Sequence, residues 1–286
     1  SGEPYLVASG TLLDASPHVV VLDCDGQEVR FVLGPATVIW RGAPVAAGNL
    51  LLPGDRVIVR ASADRPQVAD AIWAAIGRVT GTILERGRDE LLVGAGLTRD
   101  PQPVVISPGS ASRIQVRFPR LDPGHLIDLI GVREGGTLQA TVPATAQPGY
   151  RADQPARVPV VAGREPGTLR GSATWHEPAG SEPAEGLSYP AIDPAAGCAE
   201  HPGVACCDLP FLAVGSMLQV RNECTGTAGA LPVTGCGAVA RLFCDRCMTC
   251  GTSPRGRIAD LTAVSFAALG GDLERGCFNA TIAMGR

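Results

Sequence analysis

The sequence contains no lysine, so all 24 of its basic residues are arginine, and its net charge is −4. Nucleic-acid binding needs a basic surface, and this charge balance argues against it. Aromatic residues make up only 4% of the chain. No apolar run approaches the roughly 20 residues that a helix needs to cross a bilayer. The sequence therefore predicts neither a nucleic-acid partner nor a membrane span.

Glycine and proline are abundant instead, with 36 and 24 residues respectively. The chain is 45% hydrophobic and only 18% charged, which is typical of a folded protein. Many short strands joined by tight turns produce this composition. A chain of 286 residues has room for two or three domains, each with its own core. We expect an all-β protein.

The first half contains a repeat of about 70 residues. One copy begins at Gly10-Thr11-Leu12-Leu13 and ends near Pro53-Gly54-Asp55. The other begins at Gly81-Thr82-Ile83-Leu84 and ends near Pro123-Gly124-His125. Short β-rich runs lie between these marks, and the Asp25-Gly26 pair in the first copy signals a hairpin. Amphipathic helical periodicity is absent from both copies, so each predicts a small β-barrel.

This repeat resembles the OB-like modules of secreted bacterial proteins, which implies two small closed barrels. Barrels of this type can bind oligosaccharides. Such binding uses a face of aromatic residues, whereas Trp40 and Trp73 are isolated and predict core positions. We therefore expect structural modules. The predicted domains are OB-like modules at 1–77 and 78–150, a linker rich in Pro, Gly and Arg at 151–170, and a third domain at 171–286.

Nine of the ten cysteines lie between Cys198 and Cys277, and the tenth is Cys24. This density predicts a disulfide framework and secretion into an oxidising compartment. The alternative is a metal site on Cys244-x-x-Cys247-x-x-Cys250, although zinc sites usually add a second such pair or histidines. Nine is odd, so one cysteine is free, pairs with Cys24, or bridges to another molecule. We expect disulfides, with no metal and no cofactor.

The third domain carries short motifs in an informative order. It opens with Ala173-Thr174-Trp175-His176, and an apolar run predicts a strand at Ala238–Asp245. Ile258-Ala259-Asp260-Leu261-Thr262 follows, before a short helix expected at Thr262–Leu269. This order resembles the double-psi β-barrel of expansins and of the rare lipoprotein A family. Both families act on cell-wall polysaccharide, so the resemblance implies a disulfide-rich double-psi barrel with a polysaccharide groove.

The resemblance implies that Asp245 and Asp260 are candidate catalytic residues and that Thr174, Trp175 and His176 contact the substrate. A carboxylic acid against an apolar wall has a raised pKa and can protonate a glycosidic oxygen. Hydrolysis by the usual route needs a second carboxylate, whereas a lytic transglycosylase needs only one. Each residue also has a structural interpretation. Asp260 could cap a turn or helix, Asp245 could shape a loop, and Trp175 could fill the core.

The sequence leaves three functions open. The first is a secreted protein that associates with wall polysaccharide, either peptidoglycan or a cellulose-like polymer, without cutting it. The second is a self-associating structural subunit of an extracellular fibre or sheath, suggested by the tandem β modules and the odd cysteine count. The third is a lytic transglycosylase-like enzyme. Against the third, rare lipoprotein A proteins carry Ala-Ala-His where this chain has Cys206-Cys207-Asp208.

Overall fold

The architecture comes from a computed structural model. It describes residues 2–45, 51–96, 100–154, 156–157, 163, 167–178, 183–193, 206–237, 239–245, 247, 250–251 and 254–284. These residues form three closed β-barrels in chain order. The prediction of two OB-like barrels followed by a disulfide-containing double-psi barrel is confirmed. Within these ranges, neither helix has the length and apolar character needed to cross a bilayer.

The first barrel has the strand order of an OB fold. Its strands are β1 (Leu6–Ala15), β2 (Val19–Cys24), β3 (Gln27–Trp40), β4 (Pro44–Val45), β5 (Arg56–Ala61) and β6 (Val68–Ala74). The ring runs β1-β2-β3-β6-β5, with only the β3–β6 pair parallel. Asp25 and Gly26 adopt positive φ angles of 53° and 83° between β2 and β3. They form the tight hairpin turn that this dipeptide predicts.

The second barrel repeats this order. Its elements are β7 (Ile76–Arg86), β8 (Glu90–Gly94), β9 (Gln102–Ile106), α1 (Pro108–Arg117), β10 (Leu126–Glu134) and β11 (Thr137–Pro143). The ring runs β7-β8-β9-β11-β10, and β9 and β11 are parallel. A single residue, Ala75, separates β6 from β7, so the expected boundary between 77 and 78 falls inside a strand.

Helix α1 was not expected from the sequence, and the expectation of a purely β repeat is wrong at this point. Only Ile114 is fully buried along the helix, where it packs with Phe118 in the core of the second barrel. One buried side chain cannot produce the apolar periodicity by which amphipathic helices are recognised. The remaining signal is local, because Ser107 occupies the N-cap position and Pro108 the first turn.

The third barrel has six strands in its ring and one at its edge. Its elements are β12 (Thr168–His176), β13 (Leu187–Tyr189), β14 (Met217–Asn222), β15 (Ala228–Cys236), β16 (Cys244–Asp245), β17 (Arg255–Thr262), α2 (Ala263–Ala268) and β18 (Cys277–Met284). The ring runs β12-β18-β14-β15-β13-β17 and closes through β12–β17. The β12–β17 and β13–β15 pairs are parallel. Because β12 begins at Thr168, the end of the expected 151–170 linker belongs to the barrel.

Two local predictions in this barrel had different outcomes. The helix expected at Thr262–Leu269 is confirmed as α2, with the Thr262 hydroxyl accepting a hydrogen bond from the Ser265 amide at 3.3 Å. The strand expected over Ala238–Asp245 is wrong for most of its length. Ala240–Leu242 forms a 3-10 turn, and only Cys244 and Asp245 pair with β17. Apolar runs of this length fit a buried turn as well as a strand.

Disulfides stabilise the third barrel, as predicted. Cys206 bonds to Cys244, Cys224 bonds to Cys250, and Cys236 is disulfide-bonded as well. The metal alternative on the three spaced cysteines is not supported, because Cys244 and Cys250 are used in different disulfides. In the described part of the chain, Cys24, Cys207 and Cys277 carry thiols.

The first and second barrels each have a core cluster of their own, and one larger buried cluster is shared by all three barrels. The shared cluster includes Trp40, Trp73, Ile130, Val132, Trp175 and Phe266. The core positions predicted for Trp40 and Trp73 are confirmed, since each is 3% exposed. Arg60 adds a polar link, because its guanidinium lies 5.3 Å from the Trp73 ring centroid and donates to the Gly271 carbonyl of the third barrel at 3.0 Å.

Candidate functional site

The parallel pairing of β12 with β17 brings Thr174 opposite Asp260. The Thr174 hydroxyl donates a hydrogen bond of 2.7 Å to Oδ1 of Asp260. Thr174 is fully buried, whereas the Asp260 side chain keeps 16% of its surface exposed. The buried hydroxyl therefore fixes one carboxylate oxygen while part of the group faces solvent.

His176 completes this cluster. Alternate residues of a strand face the same side, so His176 lies on the side of β12 that carries Thr174. Its Nδ1 is 3.6 Å from Oδ2 of Asp260, and the imidazole is 8% exposed. A protonated imidazole at this distance would form an ion pair with the carboxylate. The sequence-predicted residues Thr174, His176 and Asp260 are thus brought together, and we call them the Asp260 cluster.

Trp175 lies between Thr174 and His176 and points to the opposite side of the strand. Its side chain is completely buried, and Nε1 donates to the Leu273 carbonyl at 2.9 Å. The guanidinium of Arg78 lies 5.7 Å from the centroid of the Trp175 ring. The expected stacking of Trp175 on a sugar is therefore not available in this structure, because the ring fills the shared core.

Asp245 was expected on the same open surface as Asp260, and that expectation is wrong. The Asp245 side chain is 0% exposed. Its carboxylate accepts hydrogen bonds from Thr145 at 2.6 Å, Ser172 at 3.1 Å and Nε of Arg257 at 2.5 Å. Thr145 follows the last strand of the second barrel, so that barrel itself covers the carboxylate.

Arg257 pairs with carboxylates on both sides of the junction between the second and third barrels. Its Nη2 donates both to Asp245 and to Oδ2 of Asp128 on β10. Asp128 also binds Arg78 of β7 through two hydrogen bonds, of 2.9 and 2.7 Å. We call Arg78, Asp128, Asp245 and Arg257 the buried charge network. It contains two positive and two negative groups, and all four residues are at most 5% exposed.

The electrostatics of the network keep Asp128 and Arg257 ionised. Burial alone raises the pKa of Asp128, but the charges of Arg78 and Arg257 outweigh burial and lower that pKa to about 2. Burial lowers the pKa of Arg257, whereas Asp245 and Asp128 raise it above its usual range. The Arg257 guanidinium also lies 4.2 Å from the Phe243 ring centroid. Asp128 therefore cannot supply a proton near neutral pH.

Sequence reasoning missed Arg78, Asp128 and Arg257. A signal for Asp128 is present in the sequence, because it is a lone charge among apolar residues in Leu126-Ile127-Asp128-Leu129-Ile130. An ionised group in such a position needs a partner of opposite charge. The partner's identity depends on the pairing of distant strands.

Three sulfur atoms have metal-ligand spacing in the described part of the chain. The Sγ atoms of Cys224, Cys247 and Cys250 lie within 4.8 Å of one another. Two of these sulfurs form the Cys224–Cys250 disulfide. A structural zinc site takes four deprotonated ligands, and this oxidised group does not provide them.

No family model matches this chain, and no curated protein matches it. The interpretation of the site therefore depends on the barrel topology and on the contacts of the residues themselves.

Proposed function

We propose that this protein is a secreted, expansin-like protein that associates with cell-wall polysaccharide without hydrolysing it. The observation that carries the proposal is the Asp260 cluster. A partly exposed carboxylate is held by a buried threonine hydroxyl at 2.7 Å, with His176 3.6 Å from its second oxygen. A partly exposed carboxylate is a strong acceptor for the hydroxyl groups of a sugar.

The environment of Asp245 supports binding without hydrolysis. The usual glycosidase mechanism places two carboxyl groups on either side of the scissile bond, and one of them activates water or attacks the sugar. Asp245 is fully buried and paired with Arg257, so it reaches neither a sugar nor bulk water. Asp260 alone could act as an acid but has no second carboxylate from the predicted pair to assist it.

The test is co-sedimentation with insoluble peptidoglycan and with cellulose. The wild-type protein should bind one of these polymers, and Asp260→Asn should reduce the bound fraction several-fold. Asp64→Asn is the matched control, because it removes the same charge from a side chain that is 78% exposed on the first barrel. Equal binding by the wild type and Asp260→Asn would contradict the proposal.

The same samples distinguish the proposed binding protein from the enzymatic alternative. Incubation with either polymer should release no soluble fragments, as measured by mass spectrometry of the supernatant. Fragments ending in an anhydro-sugar would instead establish the lytic transglycosylase alternative, in which one acid is sufficient and the sugar's own hydroxyl is the nucleophile.

A structural subunit of an extracellular fibre is the second candidate. The shared core favours it, because barrels that bury tryptophans against one another form a stiff building block. Electron microscopy and analytical ultracentrifugation of the purified chain test it. Filaments, together with binding to neither polymer, would replace the first proposal by this one.

A further inference from the structure

Two arginines lie side by side on the outer surface of the third barrel. Arg170 of β12 and Arg221 of β14 both pair in register with Thr281 of β18, the strand between them. Residues in register on neighbouring strands point to the same side of a sheet. That side faces solvent, because Arg221 is exposed whereas the residues before and after it are buried. The two arginines therefore flank Thr281 on strands that are about 10 Å apart.

Glu223 connects Arg170 to a third arginine, Arg255 at the start of β17. Nε and Nη2 of Arg170 donate to the two oxygens of Glu223 at 2.8 Å each, and Nη1 of Arg255 donates to Oε2 at 2.9 Å. The hydrogen bond from Arg170 is the main cause that lowers the pKa of Glu223 to about 2. Glu223 is therefore ionised at neutral pH and balances only one of the three guanidinium groups. We call Arg170, Arg221, Arg255 and Glu223 the arginine patch.

The arginine patch is accessible to a ligand. The side chains of Arg170 and Arg255 are 37% and 22% exposed, and neither has a buried nitrogen that lacks a partner. Their unused N–H groups therefore face solvent. Arg221 makes no hydrogen bond or ion pair to any residue that the structure describes. Because Glu223 already restrains Arg170 and Arg255, a ligand would lose less binding free energy to ordering these long side chains.

The chemistry of the patch favours carboxylates on a glycan. Arg170 already binds a carboxylate, that of Glu223, through two parallel N–H groups. The next outward row of the same three strands consists of Thr168, Ala283 and Gln219, which pair in register. Protein partners usually supply binding energy through aromatic or large apolar anchors packed into such a surface, and small or polar side chains offer them little contact. A glycan with uronic acid residues presents carboxylates and hydroxyl groups, which need only hydrogen-bond donors.

We propose that the arginine patch binds an acidic polysaccharide whose sugars carry carboxylates. The glycan chain crosses β12, β18 and β14, with one carboxylate on Arg221 and another on Nη1 of Arg170, which Glu223 does not use. The net charge of the whole protein is −4, so attraction to a polyanion has to come from a local cationic surface such as this one. Because the arginines are exposed, binding weakens as salt is added.

The arginine patch is distinct from the Asp260 cluster. Thr174 lies four residues beyond Arg170 along β12, and Ser172 between them is buried, with its hydroxyl donating to Asp245. The covered segment at Ser172 therefore separates the two surfaces. This inference does not depend on the proposed function.

Isothermal titration calorimetry of the full chain with polygalacturonate tests the proposal. The fully methyl-esterified polymer is the control ligand, because it keeps the backbone and removes the charges. We expect binding of polygalacturonate that weakens with salt, and no binding of the ester. Arg221→Gln should raise the Kd several-fold, and it should leave the fold intact because Arg221 is exposed. The matched control is Arg65→Gln, which removes the same charge from a side chain that is 70% exposed on the first barrel and should leave the Kd unchanged.

Four results would overturn the proposal. They are no binding of polygalacturonate at low salt, equal binding of the methyl ester, equal losses in Arg221→Gln and Arg65→Gln, and binding of poly-glutamate with the same Kd. The last result would assign the patch to acidic peptides. Asp260→Asn should bind polygalacturonate no more weakly than the wild type, because it leaves the three arginines in place. The outcome of this titration is therefore distinguishable from that of the co-sedimentation test.

Discussion

Asp245 and Asp260 belong to the same barrel and were predicted for the same groove, yet their surroundings differ. Asp245 is fully buried at the junction with the second barrel and is balanced by Arg257. Asp260 is held by one hydroxyl and keeps part of its surface in solvent. A carboxylate that a neighbouring barrel covers contributes to folding, whereas one at an open edge is available for a ligand. The comparison separates a structural aspartate from a candidate binding aspartate.

The largest expected effect is on the free energy of unfolding, when the charge of Asp245 or of Asp260 is removed. Asp245→Asn leaves the buried Arg257 with Asp128 as its remaining charged partner in the network, and we expect a loss of about 3 kcal/mol in the free energy of unfolding. Asp260→Asn should cost less than about 1 kcal/mol, because the amide oxygen still accepts from Thr174. Urea unfolding of both variants measures the difference. Equal losses would show that the two aspartates have the same structural role.

The disulfide next to Asp245 should have the second largest effect. Cys244 precedes Asp245 and bonds to Cys206, which restricts the unfolded chain. The double variant Cys206→Ser, Cys244→Ser should lose about 3 kcal/mol of stability. This bond lies on the Asp245 side of the barrel. We therefore expect polysaccharide binding to be unchanged, provided that it is measured at a temperature where the variant stays folded. Differential scanning calorimetry and co-sedimentation measure the two quantities, and a large loss of binding would contradict this separation.

Acid should weaken the buried charge network through Asp128. The folded-state pKa of Asp128 is about 2, below the ordinary value of 3.8, because Arg78 and Arg257 outweigh burial. Its contribution is therefore complete above about pH 4 and is lost as the pH falls to about 2. The amount is about 2 kcal/mol.

Urea titrations from pH 5 to pH 2 measure this loss. Asp128→Asn should flatten the pH dependence of stability, although Glu223, whose pKa is lowered to about 2 chiefly by a hydrogen bond from Arg170, contributes in the same range. A slope that persists in full in Asp128→Asn would assign it to other carboxylates.

The smallest expected effect distinguishes the hydroxyl partners of the two aspartates. Thr174→Val removes the donor to Asp260, and Ser172→Ala removes a donor to Asp245. Each should lower stability by about 1 kcal/mol. Only Thr174→Val should also weaken polysaccharide binding, because only Asp260 is partly exposed. Reduced binding by Ser172→Ala at unchanged stability would contradict the assignment of Asp245 to a structural role.

The elements that could be predicted from the sequence are marked by turn or capping residues within a few positions of the element itself. The Asp25-Gly26 turn has positive φ angles that few residue pairs accept, and Thr262 caps the helix that follows it. Helix α1 escaped prediction because Ile114 is its only fully buried residue. The Asp260 cluster could be anticipated in part, since Thr174 and His176 are alternate residues of one strand, but its partner strand is distant in sequence.

The sequence by itself determined the all-β class, the repeat of two OB-like barrels, the disulfide-bonded third barrel and the residues from which a site could be built. The all-β class, the repeat and the disulfides follow from turn dipeptides, apolar patterning and cysteine density, which act over short stretches of chain, whereas the barrel types and the site residues were implied by resemblance to known families. Only the tertiary structure decided that Trp175 fills a core shared by three barrels and that Asp245 is neutralised by Arg257 beside Asp128. Burial and charge pairing arise when distant strands meet, so the environment of a carboxylate depends on packing between barrels.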